Sequence, residues 1–173
     1  SIGTLIQHPF DYTMTHLLSL KEPLIGKLPD LDTTKGLVAH LVVEKLFETY
    51  GEQMADEYQK MDETKIYQLM DEAIRQKGAV LLLPEYKLEC QQYKTILKDS
   101  VTVLTTIIQN LHLQPVGSEV EVNVCLDTIG AFYGNIDMVL KNANGDYVIF
   151  DFKWSESKHY SKDLEENKAI QLE

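Results

Sequence analysis

Residues 132–154 read FYGNIDMVLKNANGDYVIFDFKW, and the fold turns on how this stretch pairs with itself. Two strand-like runs flank Asn142-Ala143-Asn144-Gly145, a turn signal whose glycine can adopt positive φ, so a β-hairpin is expected. In the second run Tyr147, Ile149, Asp151 and Lys153 point to one face, and Val148, Phe150, Phe152 and Trp154 to the other. A two-residue Asn144-Gly145 turn would set position 138 opposite 151 and send Asp137 to the far face. A three-residue loop, Ala143-Asn144-Gly145, sets 137 opposite 151. The second register is the expected one, because three-residue hairpin loops end in a left-handed residue and Gly145 stands there.

In that register Asp137, Asp151 and Lys153 share one face. Two carboxylates and an ammonium group are what metal-assisted phosphodiester hydrolysis requires. Carboxylates bind Mg²⁺ and leave it water ligands, and a lysine can position or deprotonate the attacking water and stabilise the charge that develops. The acid-x-Lys spacing is not distinctive. Glu63-Thr64-Lys65, Glu85-Tyr86-Lys87, Glu156-Ser157-Lys158 and Glu166-Asn167-Lys168 share it. Only Asp151-Phe152-Lys153 has an acid-bearing hairpin partner, and Pro84 argues against a central strand at the Glu85 copy. Read from spacing alone, the trio is equally a structural ion pair with a neighbouring acid.

Working outward, the pattern from Asp11 to about Leu113 is mostly helical, Val116 to Trp154 alternates with period two, and helical character returns from Asp163. The expected class is α+β or α/β with a helical N-terminal half. A helix over about Thr34 to Tyr50 puts Ala39, Val43, Leu46, Phe47 and Tyr50 on its apolar arc and His40 at the seam. A histidine there suits a metal ligand, and it equally suits a hydrogen-bonded boundary residue. Further helices are expected over about Ala55 to Lys77 and Tyr93 to Leu113, the latter with Ile96, Leu97, Val101, Leu104, Ile107, Ile108 and Leu111 at core spacing. Val120, Val122, Val124 and Leu126 alternate with Glu119, Glu121, Asn123 and Cys125, a strand with one buried face; Glu121 could point toward a site, and a solvated strand face is the simpler reading for the acids.

The 173 residues are 44% hydrophobic and 25% charged, the composition of an ordinary globular domain rather than a disordered, collagenous or disulfide-stapled chain. No apolar run approaches the roughly 20 residues that span a bilayer, and no secretory signal opens the chain, so a cytoplasmic protein without membrane partners is expected. Cys90 and Cys125 read as core thiols. The balance of 16 Lys+Arg against 27 Asp+Glu gives −11, which opposes rather than attracts a polyanion. Much of that charge runs from Glu44 to Glu72, a solvated helix face, and acids that hold metal would reverse the local potential once loaded. With no linker tract and no repeat, residues 1–173 are expected to form a single domain. The missing initiator Met and the stop within a helical pattern at Ala169–Glu173 read as a piece of a longer polypeptide, truncated in its C-terminal helix.

Taken in order, Gly36-Leu37-Val38-Ala39-His40, Gly134-Asn135-Ile136-Asp137, Asp151-Phe152-Lys153 and Gln171 resemble the RecB-like branch of the PD-(D/E)XK nucleases. The resemblance spans most of the chain and implies an α/β, restriction-endonuclease-like core: a central mixed β-sheet flanked by helices, with the His40 helix beside the hairpin. It implies that His40, Asp137, Asp151 and the Phe152 carbonyl bind Mg²⁺ or Mn²⁺, that Lys153 is the catalytic lysine, and that Gln171 opens the family's Gln-x-x-x-Tyr helix motif. The chain ends before that tyrosine, and Trp154 stands where the family often has a small polar residue. Members with an iron–sulfur cluster use four cysteines near the domain ends; Cys90 and Cys125 do not fit, so no cluster is expected. The activity implied is that of a DNA exonuclease of repair or recombination, leaving 5′-phosphates and working with a helicase or other module that delivers the strand. Lys158, His159 and Tyr160 are candidate backbone contacts, more simply read as an exposed loop. The rivals are a catalytically silent module of the same fold that binds DNA or a protein, and a structural domain docking by its acidic face.

Overall fold

The computed structural model describes residues 9–13, 30–126 and 130–154. The chain divides into two compact units, residues 1–28 with 155–173 and residues 29–154. In the first, the described residues include a single helical turn, α1 (Pro9–Tyr12). The second carries α2 (Leu31–Tyr50), α3 (Met54–Lys60), α4 (Glu63–Lys77) and α5 (Lys87–Asn110), then β1 (Gln114–Leu126), β2 (Gly130–Lys141) and β3 (Tyr147–Phe150). Gln171, Lys158, His159 and Tyr160 lie outside the described residues.

Helix α2 starts where Asp30 caps it, accepting from the Thr33 amide at 2.8 Å and the Thr33 hydroxyl at 2.9 Å. Those bonds hold the Asp30 carboxyl below the ordinary carboxylate range. The helix buries Val38, Val42, Val43 and Leu46, so its core face centres about a residue away from the arc expected of Ala39, Phe47 and Tyr50, which are only partly buried. The helix expected over 55–77 is two. Met61 is extended, and the Asp62 side chain accepts from the Lys65 amide at 2.8 Å to start α4. A cap in mid-pattern leaves the apolar period intact, so the break is hidden from periodicity.

The helix expected over 93–113 instead runs from Lys87 to Asn110, following a 3-10 turn at Pro84–Tyr86. The Pro84 stretch is therefore no strand. Leu97, Val101, Leu104 and Ile108 are buried, but Ile96 and Leu111 are more than half exposed, because apolar residues occur on flanking faces of α5 as well. The Lys94–Asp71 and Lys98–Glu63 pairs tie α5 to α4, and Lys35–Glu89 ties it to α2. These pairs lie near the surface and set helix register more than stability. Cys90 lies in the core, and burial pushes its thiol up from the ordinary value, as expected of a packing residue.

The three strands form an antiparallel sheet in the order β1-β2-β3. Met138 and Leu140 are fully buried against the helices, with Val148, Phe150, Phe152 and Trp154 packed on the same core. Tyr147 and Ile149 are exposed, so the two faces of the second run are divided as the alternation predicts. Hairpin pairs run from Lys141↔Tyr147 to Met138↔Phe150. Beyond them, the Asn142 amide donates to the Asp146 carbonyl at 2.9 Å and the Gly145 amide to the Asn142 carbonyl at 3.0 Å. Gly145 has φ +93°, and the Asn142 side-chain oxygen accepts from the Asn144 and Asp146 amides. This is the three-residue loop, whose register, continued one residue beyond the last pair, places 137 across from 151.

Two substitutions test this account. Leu46→Ala, at a site 1% exposed, should cost about 2–5 kcal/mol in urea unfolding. Gly145→Ala forces a Cβ into the left-handed region and should cost about 1–2 kcal/mol, with hairpin amides losing hydrogen-exchange protection.

Candidate metal centre and catalytic cleft

The ladder between β2 and β3 stops at Met138↔Phe150. One residue further, a side chain takes over from the backbone: Asp137 Oδ2 accepts from the Phe152 amide at 2.5 Å. Charge-assisted bonds of this kind are short and strong. The bond fixes the Phe152 peptide where the strand has ended, and the Phe152 carbonyl lies 3.1 Å from Nε2 of His40. The Phe152 ring meets the imidazole edge-on, with centroids 5.9 Å apart. His40 reaches this place from the middle of α2, one turn ahead of buried Val43.

The other ring nitrogen, Nδ1, lies 3.1 Å from Glu119 Oε1 and 3.5 Å from Asp137 Oδ1. Glu119 was expected on the solvated face of β1. It is instead 28% exposed and turned to the histidine, because its backbone takes φ +50°, which interrupts simple alternation. It lies across from Asp137, between the pairs Ser118↔Met138 and Val120↔Ile136. Glu121, two residues on, is exposed. An acid in a strand flags Glu119 only weakly from sequence; finding it requires the β1–β2 register.

Asp151 and Lys153 stand next to this group. Lys153 Nζ donates to Asp151 Oδ1 at 2.9 Å, and both side chains are partly exposed. They line a cavity of about 230 Å³ together with His40, Phe152 and Trp154. Its floor is apolar: Val43 from α2, and Leu97, Val101 and Leu104 from α5. Trp154 packs edge-to-face on Tyr93, centroids 4.9 Å apart, and its Cβ lies 3.5 Å from where a Cβ on Gly36 would fall. The tryptophan thus joins the start of α2 to the end of the hairpin and forms one wall of the cavity.

The donors suit a hard divalent cation. His40, Glu119 and Asp137 each bring a ligand atom within 4.8 Å of the others, and oxygen donors with one imidazole match such ions. The 3.1 Å between His40 Nε2 and the Phe152 carbonyl is close to the separation of adjacent ligands around an octahedral ion with bonds of about 2.0–2.1 Å, which is about 3 Å. Burial raises the Asp137 carboxyl above the ordinary carboxylate range, and the Asp151 and Glu119 charges push the same way. The Phe152 amide and His40 act against them.

Carboxylates and an imidazole within ligand reach, beside a lysine-lined cleft at the end of a hairpin, are the equipment of a metal-dependent hydrolase on a restriction-endonuclease-like α/β fold. The chain belongs to the PD-(D/E)XK nuclease superfamily, whose family model matches residues 1–173. Members of this superfamily are metal-dependent nucleases. A comparison with curated proteins finds no match. Among the described residues no helix is long and apolar enough to cross a membrane.

The Asp137 shift gives a prediction with a definite sign. A folded pKa above the unfolded one stabilises the protein at low pH, and that contribution is lost as pH rises through the folded value. In chelator, Asp137→Asn should therefore melt higher than wild type at neutral pH, with the difference closing in acid. Calorimetric melts across pH 3 to 8 would show it.

Proposed function

We propose that the chain is a Mg²⁺- or Mn²⁺-dependent deoxyribonuclease of the RecB-like branch, acting as an exonuclease in DNA repair or recombination. The observation that carries this reading is the convergence of His40, Asp151 and Lys153 on one cavity, with Asp137 bonded both to the Phe152 amide and toward the His40 ring. His40, Asp137, Asp151 and the Phe152 carbonyl would hold the ion. When bound, it supplies Lewis-acid polarisation of the phosphate and activates the attacking water.

The chain's own groups do the rest. Lys153, held by Asp151 at 2.9 Å, reaches the cavity as a point charge able to orient water and to stabilise negative charge growing on the phosphoryl oxygens. Asp137 anchors the Phe152 peptide, so its carbonyl keeps its distance from His40. The apolar floor from Val43 to Leu104 limits the water around the reacting group. Gln171 is proposed to add a contact from the C-terminal segment. The net charge of −11 disfavours tight DNA binding by this chain alone, and supports a helicase or other module, of the same chain or complex, that delivers the strand in the cytoplasm. The family match over residues 1–173 supports reading them as one nuclease domain.

Cleavage assays on linear and circular, single- and double-stranded DNA test the proposal. Linear substrates should be degraded to 5′-phosphate products with Mg²⁺ or Mn²⁺ but not with chelator, and circles should survive. Asp151→Ala and Lys153→Ala should each lower the rate at least about 100-fold. Cleavage that persists in both variants would overturn the assignment.

A further inference from the structure

Glu119 stands in the donor cluster with His40 and Asp137, yet the ligand set of His40, Asp137, Asp151 and the Phe152 carbonyl does not use it. Glu119 is not in the hairpin, yet its carboxylate lies 3.1 Å from Nδ1, and it faces the histidine from a backbone conformation that side chains rarely adopt, φ +50°. Left-handed backbone at a residue other than glycine is unfavourable and is kept where surrounding interactions hold it. The compensating interaction visible here is the one with the imidazole.

We propose that Glu119 is the positioning residue of the metal centre: it accepts the Nδ1–H bond and thereby holds Nε2 toward the Phe152 carbonyl as a ligand. This rests on the reading of His40 as a metal ligand. The chemistry is that of a carboxylate–histidine–metal relay. An imidazole that binds an ion through one nitrogen presents the other as a donor, and a carboxylate on that donor fixes the tautomer and ring orientation and raises the basicity of the ligand. His40 is partly exposed, at 29%, so its ring orientation depends on the partners of its two nitrogens. The Phe152 ring meets it edge-on, and Glu119 holds it at Nδ1. Asp137, 3.5 Å from the same nitrogen, is the weaker acceptor, because its second oxygen is committed to the Phe152 amide.

Glu119→Gly separates a positioning role from a structural one, since glycine is at home at positive φ. The full chain is titrated with Mn²⁺ in a calorimeter and melted in chelator, for wild type, Glu119→Gly, Glu119→Ala, Glu119→Gln and Asp137→Asn. Glu121→Gln, the same charge change two residues along the strand, serves as the control. Expected are a melting temperature for Glu119→Gly at or above wild type, with Mn²⁺ affinity lowered about 10- to 100-fold in both the glycine and alanine variants. Glutamine keeps an acceptor for Nδ1–H and should stay within a few-fold of wild type, as should Glu121→Gln. Wild-type affinity in the glycine and alanine variants would overturn the inference. So would a loss in Glu119→Gln or Glu121→Gln as large as in Glu119→Ala, which would mean that charge, not the acceptor, matters. If Asp137→Asn abolishes Mn²⁺ binding while the Glu119 variants do not, this inference alone falls; if wild type binds no Mn²⁺, the metal-centre reading falls with it.

Discussion

The bond from the Phe152 amide to Asp137 holds the candidate site together. It forms where the backbone ladder of the hairpin has run out, so a side chain of β2 continues the pairing that the main chain has abandoned. Through it the Phe152 carbonyl is fixed near the His40 ring, and the chain is aimed so that Asp151 and Lys153 come to the mouth of the cavity while Phe152 and Trp154 pack inward. Burial is what makes the bond effective, since a carboxylate in water would gain little from one more amide. The same burial raises the Asp137 carboxyl, so that a group whose ionisation is disfavoured in the free fold stands beside an imidazole and two further acids. A cation resolves that conflict; well-packed stability alone does not call for it.

The geometry depends on elements distant from the chemistry. Gly145, at the far end of the hairpin, supplies the left-handed turn that sets Asp137 opposite position 151. Val38, Val42 and Leu46 anchor α2 so that His40 emerges beside β1 and the end of the hairpin. Tyr93 donates to the Lys35 carbonyl at 2.6 Å and packs against Trp154, joining α5, the start of α2 and the residue after Lys153. The tryptophan does not seal the cleft; it lines it. Asp137, Glu119 and Asp151 act on one another at the cleft, and a bound cation would reverse that local potential.

Much of this was legible in the residues. Loop chemistry allowed two hairpin registers, since Gly145 can take positive φ in a two-residue or a three-residue loop; the three-residue choice is the one that forms, and the alternation of 147–154 then divided the faces correctly. His40 at the edge of an apolar arc was visible from helical period. Three features were not. The α3–α4 break rests on a cap at Asp62 inside an uninterrupted apolar pattern. Ile96 of α5 and Leu111 just after it look like core residues because apolar side chains occur on several faces of that helix, and only packing decides which row is buried. Glu119 sits at a positive φ that no glycine announces, opposite an acid whose pairing with β1 depends on a long-range register. Local propensity carries no information about such a residue; strain at a site is where sequence patterns are expected to fail.

The central claim is that His40 and Asp137 hold a divalent ion at the end of this hairpin. A crystal of the protein grown with Mn²⁺ and measured at the manganese absorption edge addresses it directly. The account predicts an anomalous peak within bonding distance of the His40 ring and the Asp137 carboxylate. A map with no peak there, and His40 still bonded directly to the Phe152 carbonyl, would contradict it.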